Sequence, residues 1–269
     1  MPAVVDPNNG LMLYELSNPW GYNIPMWPAY DDVKLERISR HGKHGVMTQK
    51  FTTVFHCSTH VNAPLHLVPG AEGVGQIPMD KFFGSGVILD IPKGKWELIT
   101  DKDLEAAGQD VFPGDIVILC TGWHRQYSDS KEYFGYAPGL AKSGAEWLVK
   151  KGVKTVGIDT ADIDHPCATS LVNHREGPLV KYLMVEYKQE TGREPKTDHP
   201  EWRVAHRTLL KAGIPTIEGV GGFIGELAGK RVTLQGFPWN WKGGDACVIR
   251  LVAMIDPSGK VKLEPGKAA

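Results

Sequence analysis

The sequence predicts an α/β protein, a single domain over residues 1–269 built on a mixed, mostly buried β-sheet flanked by helices. Three observations carry this expectation. Val87-Ile-Leu-Asp90 and Ile116-Val-Ile-Leu-Cys120 are short apolar runs, the pattern of strands covered on both faces. Amphipathic segments lie between the apolar runs, so strand and helix alternate along the chain. No repeat, low-complexity tract or interdomain linker breaks the alternation.

Taken in order, Val46–His56 reads as the first strand, because Thr52, Thr53, Val54 and Phe55 are β-branched or aromatic and Pro64 stops regular pairing soon after. Gly86–Ile91 follows. Thr100 then caps a helix over Asp101–Ala107, which Gly108 stops. Asp115–Thr121 is the second buried run. Leu140–Lys151 places Leu140, Ala141, Gly144, Ala145, Leu148 and Val149 on one helical face and ends at Gly152. Val153–Ile158 is the next strand. Glu201–Ala212 is a helix opening after Pro200, with Trp202, Ala205, Leu209 and Leu210 to one side and Gly213 beyond it. Strands over Pro215–Glu218, Arg231–Gly236 and Ala246–Ile255 complete the pattern.

Composition narrows the function. Thirty basic against 31 acidic residues, with no clustered Lys/Arg run, exclude a phosphate-tracking surface and an acidic-membrane partner. No stretch approaches the ~20 apolar residues of a membrane span, and residues 1–20 lack the apolar core of a signal peptide. Cys57, Cys120, Cys167 and Cys247 are scattered without a CxxC pair, which argues against a zinc ribbon and fits a reduced cytoplasm. Eight Trp suit aromatic-lined pockets or subunit interfaces as well as core packing.

Two segments concentrate chemistry. The first is His56-Cys-Ser-Thr-His60-Val-Asn62-Ala-Pro-Leu-His66, three of the chain's ten histidines within eleven residues. Neutral imidazole is the commonest metal ligand and the side chain best placed to move protons near pH 7. Positions four apart on a strand lie roughly 13 Å from each other, so His56 and His60 share an ion only if the chain turns through Cys57-Ser58-Thr59. His60 and Asn62 then face one side of the next extended piece, and Cys57 points into the wall. The second segment runs from His206, mid-helix, to Glu218 at the end of an apolar strand before Gly219-Val-Gly. Strand ends of open α/β sheets present functional groups. A Glu there is either a surface charge or a buried carboxylate held by a cation. Read alone, His206 is a histidine on a helix surface.

Together the two segments resemble the cyclase-like metal-dependent hydrolases, the family of bacterial kynurenine formamidase and isatin hydrolase. The family signature His-x-Gly-Thr-His-x-Asp-x-Pro-x-His stands here as His56-Cys-Ser58-Thr59-His60-Val-Asn62-Ala-Pro64-Leu-His66, and His206 with Glu218 matches the downstream His and Glu. Met26-Trp27-Pro28 and Gly157-Ile-Asp159-Thr160 are further echoes. The resemblance implies a swivelling β/β/α fold and a divalent metal, zinc or manganese, one or two ions per subunit. His56, His60 and the residue at 62 would bind it, with His206 and Glu218 completing the site or holding a second ion. His66 would be the acid/base, and Trp27 would line the pocket of a small-molecule substrate. A homodimer or homotetramer is expected. Two departures stand out: Ser58 replaces the signature glycine, and Asn62 replaces a metal-binding Asp, giving a weaker, neutral ligand.

The chemistry implied is hydrolysis of an amide, imide, formamide or lactone by a metal-activated water, with His66 relaying the proton. A metal-dependent lyase or dehydratase needs the same parts. A structural zinc site is the non-catalytic alternative, although such sites are usually closed and Cys-rich. The polar stretch between Glu176 and Pro200, with Tyr182, Tyr187, Arg193 and His199, is either a lid or a solvated excursion.

Overall fold

The computed structural model describes residues 3–172 and 180–261. Ten strands form one mixed sheet in the order Ala3–Val5, Met12–Glu15, Val252–Ile255, Lys230–Gln235, Phe83–Asp90, Ile116–Cys120, Thr155–Ile158, Thr216–Glu218, His60–Asn62 and Ala246–Val248. The four strands from Phe83–Asp90 to Thr216–Glu218 run parallel, and antiparallel pairing extends the sheet on both sides. The expected single α/β domain with a buried mixed sheet is what forms.

The apolar runs are central because both of their faces are covered. Val87, Leu89, Val117 and Leu119 pack with Leu104, Leu148 and Leu209 from the helices Asp101–Ala106, Lys142–Lys151 and Val204–Lys211. The alternate residues Ile88, Ile116 and Ile118 pack with Leu16, Val61, Ile217, Leu234 and Leu251, so the curled sheet closes a second core against itself. The Thr100 cap is present as a reciprocal box with Asp103, and Gly152 ends the Lys142–Lys151 helix in the left-handed conformation.

Several expected elements differ. Val46–His56 is not a core strand: only Thr48–Thr52 is extended, paired with Lys34–Ser39 in a separate exposed hairpin. Its β-branched and aromatic composition satisfies strand propensity without requiring burial. Ala246–Ile255 is two strands, interrupted at Ile249–Leu251 where the backbone leaves one end of the sheet and rejoins the other. Leu140 belongs to a short strand pairing with Leu98–Ile99, so that helix starts at Lys142. The last long helix starts at Val204 because Arg203, at φ 48°, cannot continue a right-handed helix. In the polar stretch, Leu183–Thr191 is a helix that buries Leu183 and Tyr187 beside Trp27 and Phe134, and Pro195–Asp198 is a short turn of helix. Leu183 and Tyr187 anchor the helix, while the polar run 188–198 is largely exposed, as a solvated excursion would be. Glu176 lies outside the described residues. Among the described residues, no helix is long and apolar enough to cross a membrane.

The two-sided core makes the central strands the seat of stability. Ile118→Ala, at a fully buried position on Ile116–Cys120, should cost ~2–5 kcal/mol. A urea midpoint lowered at unchanged slope would show it, whereas an unchanged midpoint would contradict the two-faced packing.

Candidate functional site

The site forms where the parallel strands end and the antiparallel His60–Asn62 strand lies alongside. Glu218 ends Thr216–Glu218 and is in register with His60, while Asn62 is in register with Thr216 and, on its other side, with Ala246. His60 and Asn62, two residues apart, therefore face the same way. The turn required before His60 is present: Ser58 sits at φ 53°, and Ser58 and Thr59 are buried. Gly219, at φ 62°, makes room for it, because a Cβ there would lie 2.2 Å from the Ser58 carbonyl oxygen. Cys57 packs into the wall with Met26 and Val33, its thiol donating to the Val54 carbonyl, and burial raises its pKa.

These turns bring together the four histidines of the two segments, His56, His60, His66 and His206, while His199 lies elsewhere, stacked on His165. His56 Nδ1 is 2.8 Å from Asn62 Oδ1. The Asn62 amide nitrogen donates to Glu218 Oε2 at 2.9 Å and to Thr216 Oγ1 at 3.2 Å, which fixes the direction of the amide. His60 Nε2 stands 3.3 Å from Glu218 Oε2. It is buried and, among the described residues, has no hydrogen-bond partner. His66 is ring to ring with His56 at 4.2 Å and with His206 at 6.0 Å.

His206 is fully buried, contrary to the reading of it as a helix-surface residue. Its Nδ1 lies 2.8 Å from Asp164 Oδ2 and its Nε2 3.1 Å from Glu218 Oε1. Burial alone would drive its pKa down, but the facing carboxylates of Glu218 and Asp162 win and hold it well above the usual value. Burial works against Glu218 too, yet His206 and His60 hold its carboxyl well below the ordinary range. Ile163 N donates to Glu218 Oε1 at 2.6 Å. Asp162 is paired with Arg203 at 2.7 Å. His66, by contrast, is pushed down by burial to about 4, with Asp245 resisting, and is therefore neutral near pH 7.

Sequence reasoning missed Asp162, Asp164, Arg203 and Asp245. The first two follow the echo at Gly157–Thr160 as Asp-x-Asp, in the loop after a parallel strand, which was a usable signal. Asp245 follows Gly243-Gly244 and has no motif around it, although its Oδ2 lies 2.8 Å from His56 Nε2.

Two donor pairs have the spacing a divalent ion needs, and beside them His56, His66 and Asp245, and Asp162, Asp164 and His206, each bring their ligand atoms within 4.8 Å of one another. Ligands bound to one zinc at ~2.0–2.2 Å stand roughly 3 Å apart, close to the His56–Asn62 and His60–Glu218 separations of 2.8 and 3.3 Å. The buried, unpartnered His60 Nε2 points into this group. Imidazole, amide oxygen and carboxylate together suit zinc or manganese. The adjoining free space, lined by Trp27, Tyr30, His66 and Arg203 among others, is about 20 Å³, on the order of one water. A second small hollow shares Trp27, His56 and His60 and is walled by Tyr127, Tyr133 and Phe134. A roomier hollow of about 440 Å³, beside Trp20 and Trp239, contains none of these histidines.

Comparison with known proteins gives the same frame. The family model Cyclase matches residues 14–165. Kynurenine formamidase of Bordetella avium (strain 197N) is 27% identical over 164 residues, 60% of this chain and 75% of that protein. Isatin hydrolase A from Labrenzia aggregata, solved with benzyl benzoate bound, superposes with a TM-score of 0.73 at 18% identity, covering 91% of this chain and 94% of that one. A predicted metal-dependent hydrolase from Bacillus stearothermophilus gives 0.65 at 21% identity, over 91% and 98%. These structures share the fold.

The direction of the Asn62 amide generates a test. Asn62→Asp would replace the 2.9 Å donor to Glu218 by a second carboxylate oxygen, losing a charge-assisted hydrogen bond of ~1.5–3 kcal/mol. The metal-free variant should melt roughly 4–8 °C below wild type, and added zinc or manganese should raise its melting temperature more than that of wild type. Identical melting in chelator and identical metal response would show that position 62 does not face Glu218.

Proposed function

The chain belongs to the Cyclase family, and we propose that it is a metal-dependent hydrolase cleaving the C–N bond of a small amide, imide or formamide, or a lactone, with a cyclic or aryl body. The observation that carries this reading is the pair of ligand-spaced contacts His56–Asn62 and His60–Glu218, with one buried imidazole nitrogen lacking a hydrogen-bond partner. The names of the similar proteins, a formamidase and an isatin hydrolase, support the substrate class.

His56, His60, the Asn62 amide oxygen and Glu218 would hold the ion, with His206 behind Glu218. When bound, zinc or manganese supplies Lewis acidity, which activates water and polarises a carbonyl. One ion per subunit suits a neutral amide at 62. His66, kept neutral, takes up a proton at the start of hydrolysis and returns it to the departing nitrogen or oxygen. Trp27, Tyr133 and Phe134 form an aromatic wall beside His60 that orients a flat ring and excludes water. Trp27 is itself held by Phe134, edge-on at 6.0 Å, and by Ser170, which accepts from its indole nitrogen at 3.4 Å. The four buried free cysteines support a reduced, cytoplasmic setting. A homodimer or homotetramer completes the reading.

Two variants test the roles separately, with hydrolysis screened on cyclic imides, lactones and N-formyl aryl amines. His60→Ala should lose bound metal on elemental analysis, along with the stabilisation of ~3–4 kcal/mol that a hundred- to thousand-fold excess over Kd provides. Full occupancy and unchanged melting would overturn the ligand assignment.

His66→Ala should keep metal and fold while losing on the order of 10²–10⁴ in turnover. Loss of metal with activity would make His66 a ligand, and undiminished turnover would remove it from the mechanism.

A further inference from the structure

Asp245 lies outside every segment the sequence singled out, yet it touches two of the site's histidines. It immediately precedes the strand Ala246–Val248, whose Ala246 is in register with Asn62, and its carbonyl accepts the Ala63 amide at 2.9 Å. Gly244 fixes the approach, since a Cβ there would lie 2.1 Å from the Trp241 ring. The carboxylate is thereby held on the far side of His56 from Asn62. A single oxygen, Oδ2, lies 2.8 Å from His56 Nε2 and 3.5 Å from His66 Nδ1.

A carboxylate oxygen only accepts, so both facing nitrogens carry their hydrogens. On His56, with an ion in place of the present 2.8 Å contact between Nδ1 and the Asn62 Oδ1 acceptor, this would leave the Nδ1 lone pair for the ion. On His66 it leaves the lone pair on Nε2, as a proton acceptor needs. We propose that Asp245 is a positioning residue that sets the tautomer and ring orientation of His56 and His66 together, so that one carboxylate serves both metal binding and proton transfer. The inference rests on the metal-hydrolase reading above. It assigns Asp245 no contact with substrate or ion; its effect runs through the two imidazoles.

The test uses the full chain, with Asp245→Asn introduced into wild type and into His66→Ala. The readouts are zinc affinity by calorimetry and turnover at saturating zinc. Carboxylates behind metal-binding histidines are worth about 10–100-fold in metal affinity. Zinc binding should weaken by that factor in both backgrounds, because His56 is present in both. Turnover at saturating zinc should fall about tenfold or more in wild type and fall no further in His66→Ala, because the effect on turnover runs through His66. Asp245→Glu, which keeps the charge, should recover part of the zinc affinity.

Unchanged zinc affinity in Asp245→Asn, or an equal loss of turnover in both backgrounds, overturns the proposal. A wild-type protein that binds no zinc or manganese overturns the hydrolase reading and this inference with it. One that binds metal and hydrolyses substrate while Asp245→Asn behaves identically overturns this inference alone.

Discussion

Glu218 carries a negative charge to a position with almost no contact with water, and the surrounding structure is arranged to tolerate it. Its exposure is 3%. Removing one partner of such a charge typically costs 3–5 kcal/mol, because the other is left buried and uncompensated. The compensation comes chiefly from the Ile163 amide, the Asn62 amide and His206, with His60 Nε2 3.3 Å away. None of these is local in sequence. Each requires its own element to arrive in register, so the burial of Glu218 constrains the His60–Asn62 strand, the Asp162–Asp164 loop and the Val204–Lys211 helix at once. Asp164 and Asp162 extend the same logic outward, to His206 and to Arg203.

The sheet makes this arrangement possible by changing direction at the site. Thr155–Ile158 and Thr216–Glu218 run parallel and deliver their C-terminal ends, with the loops that follow them, to one edge. The next strand, His60–Asn62, runs antiparallel. Antiparallel pairing sets residues directly opposite one another, with Cβ atoms ~4.5–5.5 Å apart. His60 faces Glu218 for that reason, and Val248 is opposite His60 on its other side. A parallel strand in the same place would have needed a long crossover and could not have brought the compact Ser58 turn against Gly219.

This explains how much was legible in the sequence. The buried strands and the capped helix were readable because their signals are local: unbroken apolar runs at Val87–Leu89 and Ile116–Cys120, and the Thr100–Asp103 box. The histidine segment was readable because it is short and its turn is forced by distance. The strand expected over Val46–His56 forms only at Thr48–Thr52, on an exposed hairpin, because strand propensity reports a pleated surface and not its depth or its ends. Asp245 was invisible for a different reason. It stands 189 residues from His56, and what places it there is the register of Ala246 with Asn62, which no local pattern encodes. His206, taken on its own helix, reads as a surface residue, and only the resemblance placed it at the site. Its burial follows from the Asp-x-Asp loop packed above it.

Asn62 shows how one neutral side chain reshapes the electrostatics. Asp162, Asp164, Glu218 and Asp245 place four carboxylates around the site, with Arg203 and the protonated His206 as cations among them. A fifth carboxylate at 62 would stand within 3 Å of Glu218, where two like charges repel by roughly 5 kcal/mol even at an effective dielectric of 20. Such a pair survives only with a cation or a shared proton between its oxygens. The amide removes that requirement. Its nitrogen bonds Glu218 directly, while its oxygen remains turned to His56. The part of the site near His206 is thereby closed by hydrogen bonds, and the part near His56 and His60 stays open.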